Sequence, residues 1–313
     1  KNRDDEERRK AWQRFAERRG GELRAGPPRF MSLVSQDEVE VRSGLALVLL
    51  SVHITGFGQS ERVFTRARAH FIIGGGPRFD VTPAGLLADM GRALGVQDLE
   101  LGNRRFDREF IVKGEDHEGI RRTWTQETQQ TMTRSLSVAT VVARGSQVTL
   151  LMDGLRLEGL DAMVDVVGAL ASVGADALDG LASCPDATLT RAAGTWDQPT
   201  PPSLKVATSQ GDATATVAWH QGGPQVRLTL PLSGELPVFQ GEILGGRPQG
   251  FPAGLLSEFA VRLLDKLPGA AVASTERALE LRWPGIPDAA AFMSGAHLLA
   301  DIARAVHRTS AFR

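Results

Sequence analysis

Apolar positions along residues 4–19 recur at helical spacing, with Trp12, Phe15, Ala16 and Arg19 on one face. Acids fill the first turns, arginines fill the last, and Gly20-Gly21 follows, which suits the helix dipole and a glycine stop. Residues 30–114 instead alternate with the period of strands. In 62–73, Val63, Thr65, Ala67, Ala69, Phe71 and Ile73 fall on one side and Arg66, Arg68 and His70 on the other, giving one buried face and one basic face. "GGGP" (74–77) punctuates the chain, 78–83 returns as a strand, and the spacing of Leu86, Leu87, Met90 and Leu94 predicts a helix over 84–95. Phe106, Arg108, Phe110 and Val112 alternate with Asp107, Glu109, Ile111 and Lys113, so 105–113 is expected as a strand ended by Gly114. Asp116 is then placed to cap a single helix over 117–132. Strands 135–144 and 147–154 around Gly145-Ser146 and a helix over 160–173 complete the first half.

The second half repeats this order. "TATVAWHQGGPQVRLTLP" (214–231) parallels "RARAHFIIGGGPRFDVTP" (66–83), and the ending 278–296 parallels 147–167. Strands are expected at 237–244, 270–275 and 278–285, with helices at 253–269 and 288–306. The pattern predicts an α+β fold of two tandem, diverged modules, each an antiparallel sheet with helices packed on one face, preceded by an N-terminal helix. The expected boundaries are 1–25 for that helix, 26–183 for the first module and 204–313 for the second. Four prolines in 184–203 mark the linker between them.

Composition narrows the classes. Hydrophobic residues at 42% and charged residues at 23% are ordinary for a globular protein, and a net charge of −1 gives no global field for nucleic acid. Residues 1–25 differ: nine Lys/Arg against six acids give a local +3. That excess resembles the basic flank of a membrane span, although no run reaches the roughly 18 apolar residues that a spanning helix needs. Cys184 is the only cysteine, which excludes an intrachain disulfide and makes a reducing compartment the simpler expectation.

No chemical motif emerges. The histidines at 53, 70, 117, 220, 297 and 307 stand singly, without the spacing of a metal site. There is no nucleophile elbow, and "IIGGGPRF" (72–79) leads into a strand without the lysine or helix start of a phosphate loop. Asp161 and Asp165, four apart on one helix, are expected on its solvated face. Aromatics do not interleave with Arg66, Arg68 and His70, so no stacking platform for nucleic acid is indicated. No catalytic, cofactor-binding or metal residues are assigned and no cofactor is expected. The candidate interaction surface is Arg66, Arg68, His70, Trp12 and Phe15.

"LGNRRFDREFIVKGED" (101–116), a Gly-Asn turn followed by F-D-x-x-F-x-V and an acidic helix start, resembles a signature of bacterial membrane-anchored proteins of unknown function. That resemblance covers residues 1–175 and implies a domain at the cytoplasmic face of the membrane, tethered by a segment preceding Lys1. The resulting expectation is a non-enzymatic, membrane-tethered interaction or scaffold protein with a protein partner or self-association. The alternatives are a hydrolase or transferase with a site between the modules, using His70 and His220, and a small-ligand-sensing domain.

Overall fold

The computed structural model describes residues 2–25, 37–56, 61–85, 99–194, 196–220, 222–232, 238–275 and 277–310. The helix expected over 84–95 lies mostly outside them. The chain forms two compact units: Lys1–Val173 with Gly194–Thr200 and Gln221–Gly223, and Gly174–Ala193 with Pro201–His220 and Pro224–Arg313. The architecture is α+β, with an N-terminal helix and two eight-stranded sheets.

The sheet of the first unit contains β1 (Glu22–Arg24), β2 (Glu38–Ser43), β3 (Ala46–Thr55), β4 (Arg62–His70), β5 (Phe79–Pro83), β6 (Phe110–Lys113), β7 (Thr140–Arg144) and β8 (Gln147–Asp153). Their order is 1-2-3-4-8-7-5-6, with every neighbouring pair antiparallel. The sheet of the second unit contains β9 (Ala187–Thr190), β10 (Ser203–Thr208), β11 (Gly211–His220), β12 (Gly223–Pro231), β13 (Gln240–Leu244), β14 (Arg247–Gln249), β15 (Ala271–Thr275) and β16 (Ala278–Arg282). Its order is 9-10-11-12-16-15-13-14, the same plan with eight added to each label.

That identity of plan corrects the alignment expected from the glycine turns. Residues 66–83 span β4 and β5, whose counterparts are β12 and β13; 214–231 spans β11 and β12, one strand too early. The Gly-Gly-Pro likeness is shared turn chemistry and not equivalence. The match between 147–167 and 278–296 does join true counterparts, β8 with its following helix and β16 with its own. The expected linker is also revised: Gly174–Ala193 belongs to the second unit, and β9 within it pairs with β10 as an edge strand.

The α-helices among the described residues include α1 (Asn2–Arg18), α2 (Arg104–Glu109), α3 (His117–Thr123), α4 (Gln126–Ser135), α5 (Leu160–Ala171), α6 (Glu258–Leu263) and α7 (Ala289–Ser310). α5 buries Leu160, Met163, Val164, Val167 and Leu170 against β2, β3, β4 and β8. Gly168 lets it approach closely, since a Cβ there would stand 2.5 Å from the Ser43 side chain. Gly295 of α7 does the same in the second unit, where a Cβ would stand 2.4 Å from Leu281.

α1 docks on β1 and β2 through a stripe of Arg8, Trp12, Phe15 and Ala16, all buried. Trp12 Nε1 donates to the Arg156 carbonyl at 3.2 Å. At its far end Arg18 reaches Asp161 at 2.5 Å, and Arg19 bridges Asp161 at 2.8 Å and Asp165 at 2.6 Å. The two aspartates expected on a solvated face of α5 therefore hold the arginines that fasten α1.

Candidate functional site

The stretch 101–135 departs most from its expected form, and the departure builds a cavity. Residues 104–109 are helical and not extended, because Asn103 caps them by accepting from Arg105 N at 3.2 Å and Phe106 N at 3.3 Å. Asp107 accepts from Leu101 N at 2.9 Å and Gly102 N at 3.0 Å, closing the turn at Gly102, whose φ is 87°. Phe106 and Phe110, four apart, suit one helical face as well as one strand face, and here their rings stack at 4.9 Å in the core. β6 begins only at Phe110.

Asp116 caps α3 as expected, accepting from Gly119 N at 2.9 Å. The single helix expected over 117–132 is broken at Trp124, where the backbone turns away (φ −89°, ψ 83°). Thr125 starts α4 afresh by accepting from Thr128 N at 3.2 Å. Gln129 Nε2 braces the break by donating to the Trp124 carbonyl at 2.9 Å. Trp124 itself points into the core, against Phe79 at 5.7 Å and Phe106 at 5.3 Å.

Between the 101–105 turn, the end of α3 and α4 lies an open cavity of about 770 Å³. Arg104, Arg105, Arg121 and Arg134 line it together with amides and hydroxyls, and among the described residues no acid does. Arg105 is engaged by Glu109 at 2.9 Å and by the Thr133 carbonyl at 3.3 Å, while Arg121 donates to the Glu100 carbonyl at 3.4 Å. The exposed Arg104 and Arg134 meet no side-chain partner among the described residues. Two further lining residues are almost wholly buried, Trp124 at 2% exposure and Gln129 at 5%. Among the described residues, Trp124 Nε1 and Gln129 Oε1 each lack a hydrogen-bond partner. A buried polar atom left in that state costs about 1–3 kcal/mol, so two at one cavity need a reason.

The residues expected on an interaction surface are dispersed. Trp12 and Phe15 are core residues of the α1 contact, at 0% and 3% exposure, and present no surface. Arg66, Arg68 and His70 do share the sheet face opposite α5. Arg66 Nε donates to Ser51 Oγ at 3.1 Å and its Nη1 lies 3.1 Å from His53 Nδ1. Trp196 covers the other two, with Arg68 5.1 Å from its centroid and the His70 ring at 4.6 Å. Burial pushes the Arg68 guanidinium below its ordinary pKa against the pull of Glu38. Burial, then Arg68, pushes His70 down as well. His220 ends β11 in the other unit. Cys184 is buried, which raises its thiol. Among the described residues no three His, Cys, Asp or Glu side chains converge as a metal site would require, and no helix is long and apolar enough to cross a membrane.

No family model, curated protein or solved structure matches the chain.

Proposed function

We propose that the chain is a non-enzymatic interaction protein whose first unit recognises an anionic group in the arginine-lined cavity. One observation carries this reading: four guanidiniums converge on a cavity whose lining, among the described residues, has no carboxylate, imidazole or thiol. Arginine forks suit carboxylate and phosphate oxygens, whereas acid/base or nucleophilic catalysis needs a group that titrates near the working pH. The composition of the wall therefore favours holding a ligand over transforming it.

A scaffold role at the cytoplasmic face of a bacterial membrane belongs to the same proposal. It is supported by the basic excess of residues 1–25, of which Arg9 and Arg14 stay exposed while Arg8, Lys10, Arg18, Arg19 and Arg24 pair with acids. The cavity reading is tested by thermal unfolding with added inorganic phosphate or sulfate. Both anions should raise the midpoint of the native chain and leave an Arg104→Glu/Arg134→Glu variant unmoved; equal shifts in both proteins would remove the cavity from the explanation. Fractionation of the full gene product tests the tether, which predicts its recovery with membranes after a high-salt wash.

A further inference from the structure

On the footing of that anion recognition, we infer that the occupant is a polyhydroxylated phosphomonoester of the size of a sugar phosphate. The anionic end is met by Arg104 and Arg134, planar forks that can each take two phosphate oxygens and that have no competing side-chain partner among the described residues. Size argues against a bare ion: about 770 Å³ is many times the roughly 30 Å³ share of a water molecule.

The two buried polar atoms define the remainder of the ligand. Trp124 Nε1 can only donate, and Gln129 Oε1 can only accept, its amide nitrogen being already committed to the Trp124 carbonyl at 2.9 Å. An occupant that satisfies both must offer an acceptor and a donor: a carboxylate has no donor, and hydrogen phosphate has a single hydroxyl on the very group the arginines hold, whereas a phosphomonoester of a polyol carries further hydroxyls beyond that group. Both atoms are shielded from solvent, so the ligand reaches them only if an exposed side chain of the wall such as Gln126 gives way, while Arg134 stays on the phosphate.

The aromatic geometry separates sugar phosphates from nucleotides. Nucleotide bases and single strands are commonly gripped by stacking on an open aromatic face. Trp124 is the one aromatic among the described residues of the wall; it is 2% exposed, and Phe79 and Phe106 already pack against it. The cavity thus offers a base an N–H edge but no face.

Calorimetric titration of the whole chain with glucose 6-phosphate, inorganic phosphate and AMP tests the inference without a variant. Glucose 6-phosphate should bind roughly tenfold more tightly than either of the others, about 1.4 kcal/mol. Gln129→Leu and Trp124→Phe should each erase that preference while leaving phosphate affinity in place. Should either variant melt early, the ligand series on the unaltered chain still decides. Equal affinity for phosphate and glucose 6-phosphate would overturn the hydroxyl assignment and leave anion recognition standing. Tighter binding of AMP would overturn the sugar-phosphate class. Failure of all these anions to bind would overturn the underlying reading as well.

Discussion

Asp37→Ala should be among the most damaging single substitutions in the first unit. Asp37 is 2% exposed and Arg8 1%, and the two meet at 3.1 Å where α1 passes the start of β2. The guanidinium carbon also sits 5.0 Å from the centroid of Trp12, which is fully buried. Removing the carboxylate leaves a cation in a site that water does not reach, and breaking such a pair costs about 3–5 kcal/mol. That is a large part of the 5–15 kcal/mol by which domains are typically stable. Arg8→Met/Asp37→Leu removes both charges and keeps the volume, so it should recover most of the loss. Urea unfolding of the native chain, Asp37→Ala, the single variants Arg8→Met and Asp37→Leu, and the double variant gives the energies and their coupling, with amide exchange across residues 2–18 to assign the change to α1. A loss below about 1 kcal/mol for Asp37→Ala, or a double variant no better than the sum of its parts, would refute the reasoning.

Asp116→Ala should cost about 1–2 kcal/mol by uncapping α3 and leave phosphate binding unchanged, checked by denaturation alongside calorimetry. Arg19→Ala, which leaves Asp161 to Arg18 and takes away the ion pair of Asp165, should destabilise by about 1 kcal/mol, and the difference should shrink in high salt. His70 gives a pH signature. Burial, then Arg68, holds its pKa below the ordinary value of about 6.5, against a hydrogen bond with the Ser146 backbone that raises it. As pH falls through that ordinary value the unfolded chain takes up the proton first, so the first unit loses stability until the pH passes below the folded pKa. His70→Gln should flatten the profile between pH 7.5 and the lower limit, measured as urea midpoints across the series.

Strand and helix assignments were legible wherever one period dominated. β4 alternates buried Thr65, Ala67 and Ala69 with half-exposed Arg66, Arg68 and His70, as its spacing requires. α1 shows its stripe because Trp12, Phe15 and Ala16 have no competing strand pattern. Residues 104–109 fit two periods at once, and the deciding signal was local: Asn103 as a cap and Asp107 closing the turn before it. The break at Trp124 left a comparable trace in Thr125, a good capping residue that sits mid-run in an otherwise continuous helical pattern. The cavity itself was hidden. Arg104 and Arg134 are thirty residues apart in sequence, and each alone looks like any solvated arginine. Only the kink between α3 and α4 makes them neighbours of a buried indole N–H.

The second unit shows how little its sheet needs in this region: β13 and β14 are joined by the turn Gly245-Gly246. The first unit places residues 84–109 between the corresponding β5 and β6. Asn103, α2 and one wall of the cavity therefore stand on an insertion into a plan that closes without it. Cavity wall and framework are thus parted between two copies of one topology, so the wall is free to change its lining, or to be trimmed back to a glycine turn, while the strands beneath it keep their order.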